Sequence, residues 1–117
     1  MTSFETAKVV AKALDNKKGS DIKVIKIDNI SVLADYMVIA TGNSSTQVKA
    51  LADNVEYELK DIVMPSHIEG YRSNGWILMD YVDVIVHVFD EESRAFYNLE
   101  RLWKDGEVID ISDIIDE

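Results

Sequence analysis

Two strand-like stretches, Trp76-Ile77-Leu78-Met79-Asp80-Tyr81 and Asp83-Val84-Ile85-Val86-His87-Val88-Phe89, lie so close in the chain that only a hairpin can join them. Parallel strands need a crossover of a dozen or more residues, so this pair must be antiparallel. Earlier, Tyr36-Met37-Val38-Ile39-Ala40 is apolar on both faces, the pattern of a central strand. Thr41-Gly42-Asn43-Ser44 closes that strand and opens a helix, with Ser44 and Gln47 in capping-box register and Val48, Leu51, Ala52, Val55 and Leu59 on one side. A strand, a glycine turn and a capped helix form an α/β unit. Joined to an antiparallel hairpin, it predicts a mixed sheet.

The remaining elements fit around that sheet. Thr2 and Glu5 have capping-box spacing ahead of Phe4, Ala7, Val10, Ala11 and Leu14, which predicts a first helix of about three turns ending at Asn16-Lys17-Lys18-Gly19. Lys23-Val24-Ile25-Lys26-Ile27 alternates polar and apolar, as a strand at or near a sheet edge would. Residues 31–34 read as a short connector or a turn of helix. Pro65 and residues 70–75 bracket a loop in which Ile68 and Glu69 add a short strand and Asn74-Gly75 signals a turn. Asp90 to Ser93 has the composition of a helix start, and Ala95, Phe96, Leu99, Leu102 and Trp103 give the third helix its apolar stripe.

At 117 residues, the chain matches one domain with its own core. It has no cysteine, which excludes disulfides and thiolate zinc sites and suits a reducing cytoplasm. The first residues lack the basic-then-apolar pattern of a secretion signal, and no apolar run reaches membrane-spanning length. The net charge of −10 argues against direct, nonspecific nucleic-acid binding, which depends on Lys and Arg displacing counterions. Six acids and no Lys or Arg lie in residues 105–117, leaving 16 acids against 12 bases in residues 1–104. A division into a domain at 1–104 and an acidic tail at 105–117 follows. The tail mixes these acids with Val108, Ile109, Ile111, Ile114 and Ile115, so it can lie along the body or along a partner as an extended strand. Such an acidic protein suits a basic protein partner, and the same charge also serves ordinary solubility.

If Tyr81 and Val82 are the two turn residues, Asp80 faces Asp83, Leu78 faces Ile85 and Trp76 faces His87. Opposed carboxylates repel unless a cation, a proton or solvent compensates, so Asp80 and Asp83 either meet a basic partner or sit at a solvated hairpin end capping local amides. Val82 strains this register, because a tight primed turn needs positive φ. His87 can donate to a partner, although a histidine satisfied by a neighbouring side chain is commoner. His67 has no second ligand at metal spacing. Arg94, Tyr97 and Arg101 share a helix face with Glu100 and Lys104 close by, either as interface anchors or as a solvated side with an Arg–Glu pair. Trp103 continues the apolar stripe. Gly42-Asn43-Ser44-Ser45 at a helix start can cradle a phosphate or simply cap the helix.

The hairpin block, the preceding Glu69-Gly70, the following Glu91-Glu92-Ser93-Arg94, Tyr97, Leu99, Glu100 and Leu102-Trp103, and the earlier segment from Asp35 through Thr41-Gly42-Asn43-Ser44-Ser45 occur in a family's order and spacing. Over residues 4–104 the chain resembles the Iojap-like ribosomal silencing factors. The resemblance implies a nucleotidyltransferase-like fold without a catalytic site and no cofactor. It also implies binding to the large ribosomal subunit through its fourteenth ribosomal protein, which blocks joining of the small subunit and represses translation. Val82 departs from the family, which usually has glycine there.

On this reading Trp76, Asp80, Asp83, His87, Tyr97 and Glu100 lie at or beside the protein contact. The competing expectation is a small nucleotidyltransferase using Gly42, Ser44, Asp80 and Asp83. Against it, an Asp-x-x-Asp spacing puts the two carboxylates on opposite faces of one strand, and no third carboxylate, base or phosphate-gripping Lys stands at recognisable spacing. A third alternative is an adaptor that forms a homodimer through the hairpin or the acidic tail.

Overall fold

The computed structural model describes residues 2–71 and 75–115. The first helix, α1 (Ser3–Asn16), starts where the sequence places its cap: the Thr2 hydroxyl accepts from the Glu5 amide at 3.1 Å and the Glu5 carboxylate accepts from the Thr2 amide at 2.9 Å. Strand β1 (Ser20–Lys26) runs antiparallel to β2 (Tyr36–Gly42), every residue of which is buried. Helix α2 (Ser45–Leu59) follows, with the Ser44 hydroxyl accepting from the Gln47 amide. The short β3 (His67–Glu69) leads to β4 (Trp76–Asp80) and β5 (Val84–Asp90), then to α3 (Glu91–Tyr97), α4 (Leu99–Leu102) and β6 (Glu107–Ile109). The Asn74 half of the predicted Asn74-Gly75 turn lies outside the described residues.

These strands form one six-stranded mixed sheet in the order β3-β4-β5-β2-β1-β6. Only β2 and β5 are parallel, and they lie at its centre. The parallel pair is bridged by α2, β3 and β4, which supplies the crossover length that the hairpin lacks. The tail turns back so that Val108 pairs with Ile25 at the edge, and Ile111 and Ile114 pack against the core. Gly106 permits this turn, because a β-carbon there would meet Ile25 Cγ2 at 2.6 Å. Helices α1 and α2 cover one sheet face through Val10, Leu14, Leu51 and Val55, all fully buried against Val38, Val86 and Val88. On the other face Ile25, Ile27, Met37, Ile39 and Phe89 are capped by Leu99 and Trp103. No helix among the described residues is long and apolar enough to cross a membrane.

Two expectations need correction. The hairpin pairs Asp80 with Ile85, Leu78 with His87 and Trp76 with Phe89, so neither the Asp80–Asp83 nor the Trp76–His87 pairing exists. The shift is two residues, which keeps every side chain on its expected face. Its cause is Tyr81: buried beneath the helices, it continues the strand and donates its amide to the Val84 carbonyl, which moves the turn to Val82-Asp83. Val82 takes φ 73, with its amide held by Asp80 Oδ1 at 2.8 Å and the Asp83 amide bonded back to the Tyr81 carbonyl. The second correction concerns the third helix, which breaks at Asn98 in a left-handed conformation. The break turns Leu99 and Trp103 onto the sheet while Ala95, Phe96 and Leu102, expected in the core, face solvent.

Candidate functional site

The less covered sheet face carries a continuous aromatic group. Trp76 lies against Tyr97 with ring centroids 4.5 Å apart and stacks on Phe89 at 5.1 Å, while Phe96 meets Tyr97 edge-on at 5.1 Å. Adjacent strands β4 and β5 place Trp76, His87 and Phe89 on one face, and the break after α3 brings Tyr97 over them. Phe96 is 79% exposed, Leu102 70% and Tyr97 47%, and these three line one shallow hollow with Asn98 and Arg101. Large apolar side chains grouped at the surface mark places where proteins dock.

His87 is satisfied within this group, the commoner of the two uses considered for it. Its Nδ1 accepts from the Trp76 indole N–H at 3.1 Å, which leaves the ring proton on Nε2. Burial pushes its pKa down to about 4, so it is neutral near pH 7. Its role here is to orient Trp76.

Glu100, on α4, sits inside an ion cluster. Its carboxylate accepts from Arg94 Nε at 3.0 Å and Lys23 Nζ at 2.6 Å. The Arg94 guanidinium beside it, the larger effect, and Lys23 hold its carboxyl at about 2 despite partial burial. Arg94 also donates to the Asp21 carbonyl at 2.6 Å and the Thr41 hydroxyl at 2.8 Å. Its Nη2 has no hydrogen-bond partner but lies 3.4 Å from Asp21 Oδ2, close enough for Coulombic attraction. Arg94 is therefore buried and structural, not a partner to exposed Arg101 on a contact face.

The two aspartates stand apart from this group, at the turn of the hairpin. Asp80 caps the Val82 amide, whereas exposed Asp83 lines a small cavity beside Ser3 and Thr6 of α1 and accepts the Asp35 and Tyr36 amides on its backbone carbonyl. They form no opposed carboxylate pair. His67 pairs with Glu69 at 3.0 Å, and no group of three or more His, Asp or Glu among the described residues could hold a metal ion. At the Gly42 turn, the Asn43 amide donates to Gln47 Oε1 at 2.6 Å, and Gln47 also bonds the Lys17 and Lys18 carbonyls. These side chains occupy amides a phosphate would need. Gly42 has a packing reason of its own, since a β-carbon would stand 3.0 Å from the Val48 amide nitrogen.

The structure thus brings together Trp76, His87 and Tyr97, holds Glu100 in an ion cluster with Arg94 and Lys23, and leaves Asp80 and Asp83 at a distance along the hairpin. The sequence pattern missed exposed Phe96 and Leu102, buried Arg94 and the role of Phe89. Asn98 was the available signal, because asparagine tolerates the left-handed region better than most residues.

This mixed sheet, helical on one side and aromatic on the other, has close counterparts. A crystal structure of a Chromobacterium violaceum protein superposes with a TM-score of 0.87 at 39% identity, covering 89% of this chain and 88% of that one. The family model described as "Ribosomal silencing factor during starvation" matches residues 1–117. Ribosomal silencing factors of Halalkalibacterium halodurans and Bacillus subtilis are 37% and 38% identical to it, covering 98% and 95% of this chain and 99% and 95% of theirs. The chain belongs to the ribosomal silencing factor family.

Proposed function

We propose that the protein binds the large ribosomal subunit through its fourteenth ribosomal protein, stands on the surface that faces the small subunit, and so keeps the subunits apart. The observation that carries this reading is the aromatic face, where Tyr97 lies against Trp76 and Phe96, Tyr97 and Leu102 stay exposed. An anchored Tyr and Trp surrounded by apolar area is the composition of an interface centre. The net charge of −10 suits a basic ribosomal target and favours fast, selective encounter. Blocking subunit joining requires a complementary surface and bulk, not a catalytic group, and the action belongs in the cytoplasm with the ribosomes. Trp76 and Tyr97 form the centre of the contact, with His87 and Glu100 supporting it and Asp80 and Asp83 beyond it at the hairpin turn.

Co-sedimentation with separated ribosomal subunits tests the proposal. Stoichiometric pelleting with the large subunit, followed by fewer joined ribosomes when small subunits are added at fixed magnesium, is the expected result. Failure to pellet with either subunit would remove it.

A further inference from the structure

Arg94 and Glu100 are six positions apart, a separation that points two side chains to different sides of a continuous helix. They meet because Asn98, at φ 47, ends α3 immediately after Tyr97 and starts α4 in a new direction. At four residues, α4 is too short to persist unaided, so its direction depends on tertiary ties. Leu99 and Trp103 supply the apolar ones. Glu100 supplies the polar one, joining Arg94 at the end of α3 to Lys23 on β1, while Arg94 reaches Thr41 on β2. Both Glu100 oxygens already accept a charged donor.

We propose that Glu100 is a positioning residue for ribosome docking: with Lys23 and Arg94 it fixes the corner between α3 and α4, so that Phe96, Tyr97 and Leu102 present one surface, and it does not itself touch the ribosome. The proposal rests on the docking reading above. It makes a prediction of opposite sign to direct contact. If Glu100 met a basic partner, neutralising Lys23 would strengthen the attraction or leave it unchanged. If Glu100 positions the corner, losing Lys23 weakens binding.

The test compares the affinity of wild type, Lys23→Met, Lys23→Arg, Glu100→Gln, Tyr97→Ala and the paired variants for purified large subunits at fixed salt, with thermal unfolding of each. Positioning predicts that Lys23→Met weakens binding about threefold, that the effect vanishes in a Tyr97→Ala or Glu100→Gln background, and that Lys23→Arg restores it. The Tm of Lys23→Met should stay near wild type, because its half-exposed pair contributes little to stability. Unchanged or tighter binding by Lys23→Met, or full additivity with Tyr97→Ala, would overturn the positioning role. Lys23→Met carries the test even if Glu100→Gln folds poorly. Wild type failing to bind at all would instead remove the docking reading, and this one with it.

Discussion

The two faces of the sheet are closed to different degrees. Beneath α1 and α2, Val10, Leu14, Leu51, Val55 and Leu59 are fully buried, as are the facing Val38, Val86 and Val88. Beneath α3 and α4, Phe89 and Ile39 are equally buried, yet Trp76, Ile85 and Leu78 remain half-buried and the outermost layer is solvent-exposed. One face uses most of its apolar side chains to hold the fold. The other divides them between fold and surface, which is how a small domain can present an apolar patch while keeping a core.

The largest expected effect separates the faces by stability. Leu51→Ala, under the helices, should cost ~3 kcal/mol of unfolding free energy in urea titration while leaving the folded fraction's affinity for the large subunit intact. A comparable loss of affinity per folded molecule would break the division. Next comes acid sensitivity on the open face. The unfolded chain protonates His87 near 6.5, whereas burial holds the folded value at about 4, so the folded state excludes a proton the unfolded state takes up. This stabilisation is complete above pH 6.5 and is lost as pH falls toward 4, by ~2–3 kcal/mol. His87→Gln, which keeps an acceptor for Trp76 without titrating, should flatten that limb of a stability–pH profile. Glu100, held near 2, has its own window: its contribution is present above about 4.5 and fades only below it.

The third prediction reverses the first. Tyr97→Ala should weaken large-subunit binding by ~2 kcal/mol, about thirtyfold, measured by titration against labelled protein. Phe96→Ser should change stability by no more than about 0.5 kcal/mol and still impair binding, since Phe96 spends little of its area on the fold. The smallest effect lies away from both faces. Val82 holds a β-branched side chain at φ 73, so Val82→Gly should raise stability by ~1 kcal/mol in thermal or urea unfolding and leave binding unchanged.

Periodicity made the well-covered face legible. The capping pairs Thr2/Glu5 and Ser44/Gln47, the doubly apolar β2 and the helical stripes of α1 and α2 each state a local preference that packing reinforces. The open face was harder to read for the same reason that it is interesting. Ala95, Phe96, Leu99, Leu102 and Trp103 form a good helical stripe, but Asn98 divides it and sends Phe96 and Leu102 outward. The hairpin faces were legible from alternation. The register was not, because the choice between Tyr81-Val82 and Val82-Asp83 depends on whether Tyr81 finds a buried place beneath helices far earlier in the chain. Trp76, His87 and Tyr97 do lie together, but not through the expected Trp76–His87 strand pairing, and Asp80 and Asp83 were paired by a turn the protein does not make.

Hydroxyl-radical footprinting of the free protein against the protein bound to purified large subunits tests the division of faces most directly. Tyr57 and Met64, at the end of α2 and in the loop after it, are 61% and 79% exposed and serve as internal references for Phe96, Tyr97 and Leu102. The account predicts that Phe96, Tyr97 and Leu102 lose reactivity on binding while Tyr57 and Met64 keep theirs. Protection of Tyr57 and Met64 with Phe96 and Tyr97 still reactive would contradict it.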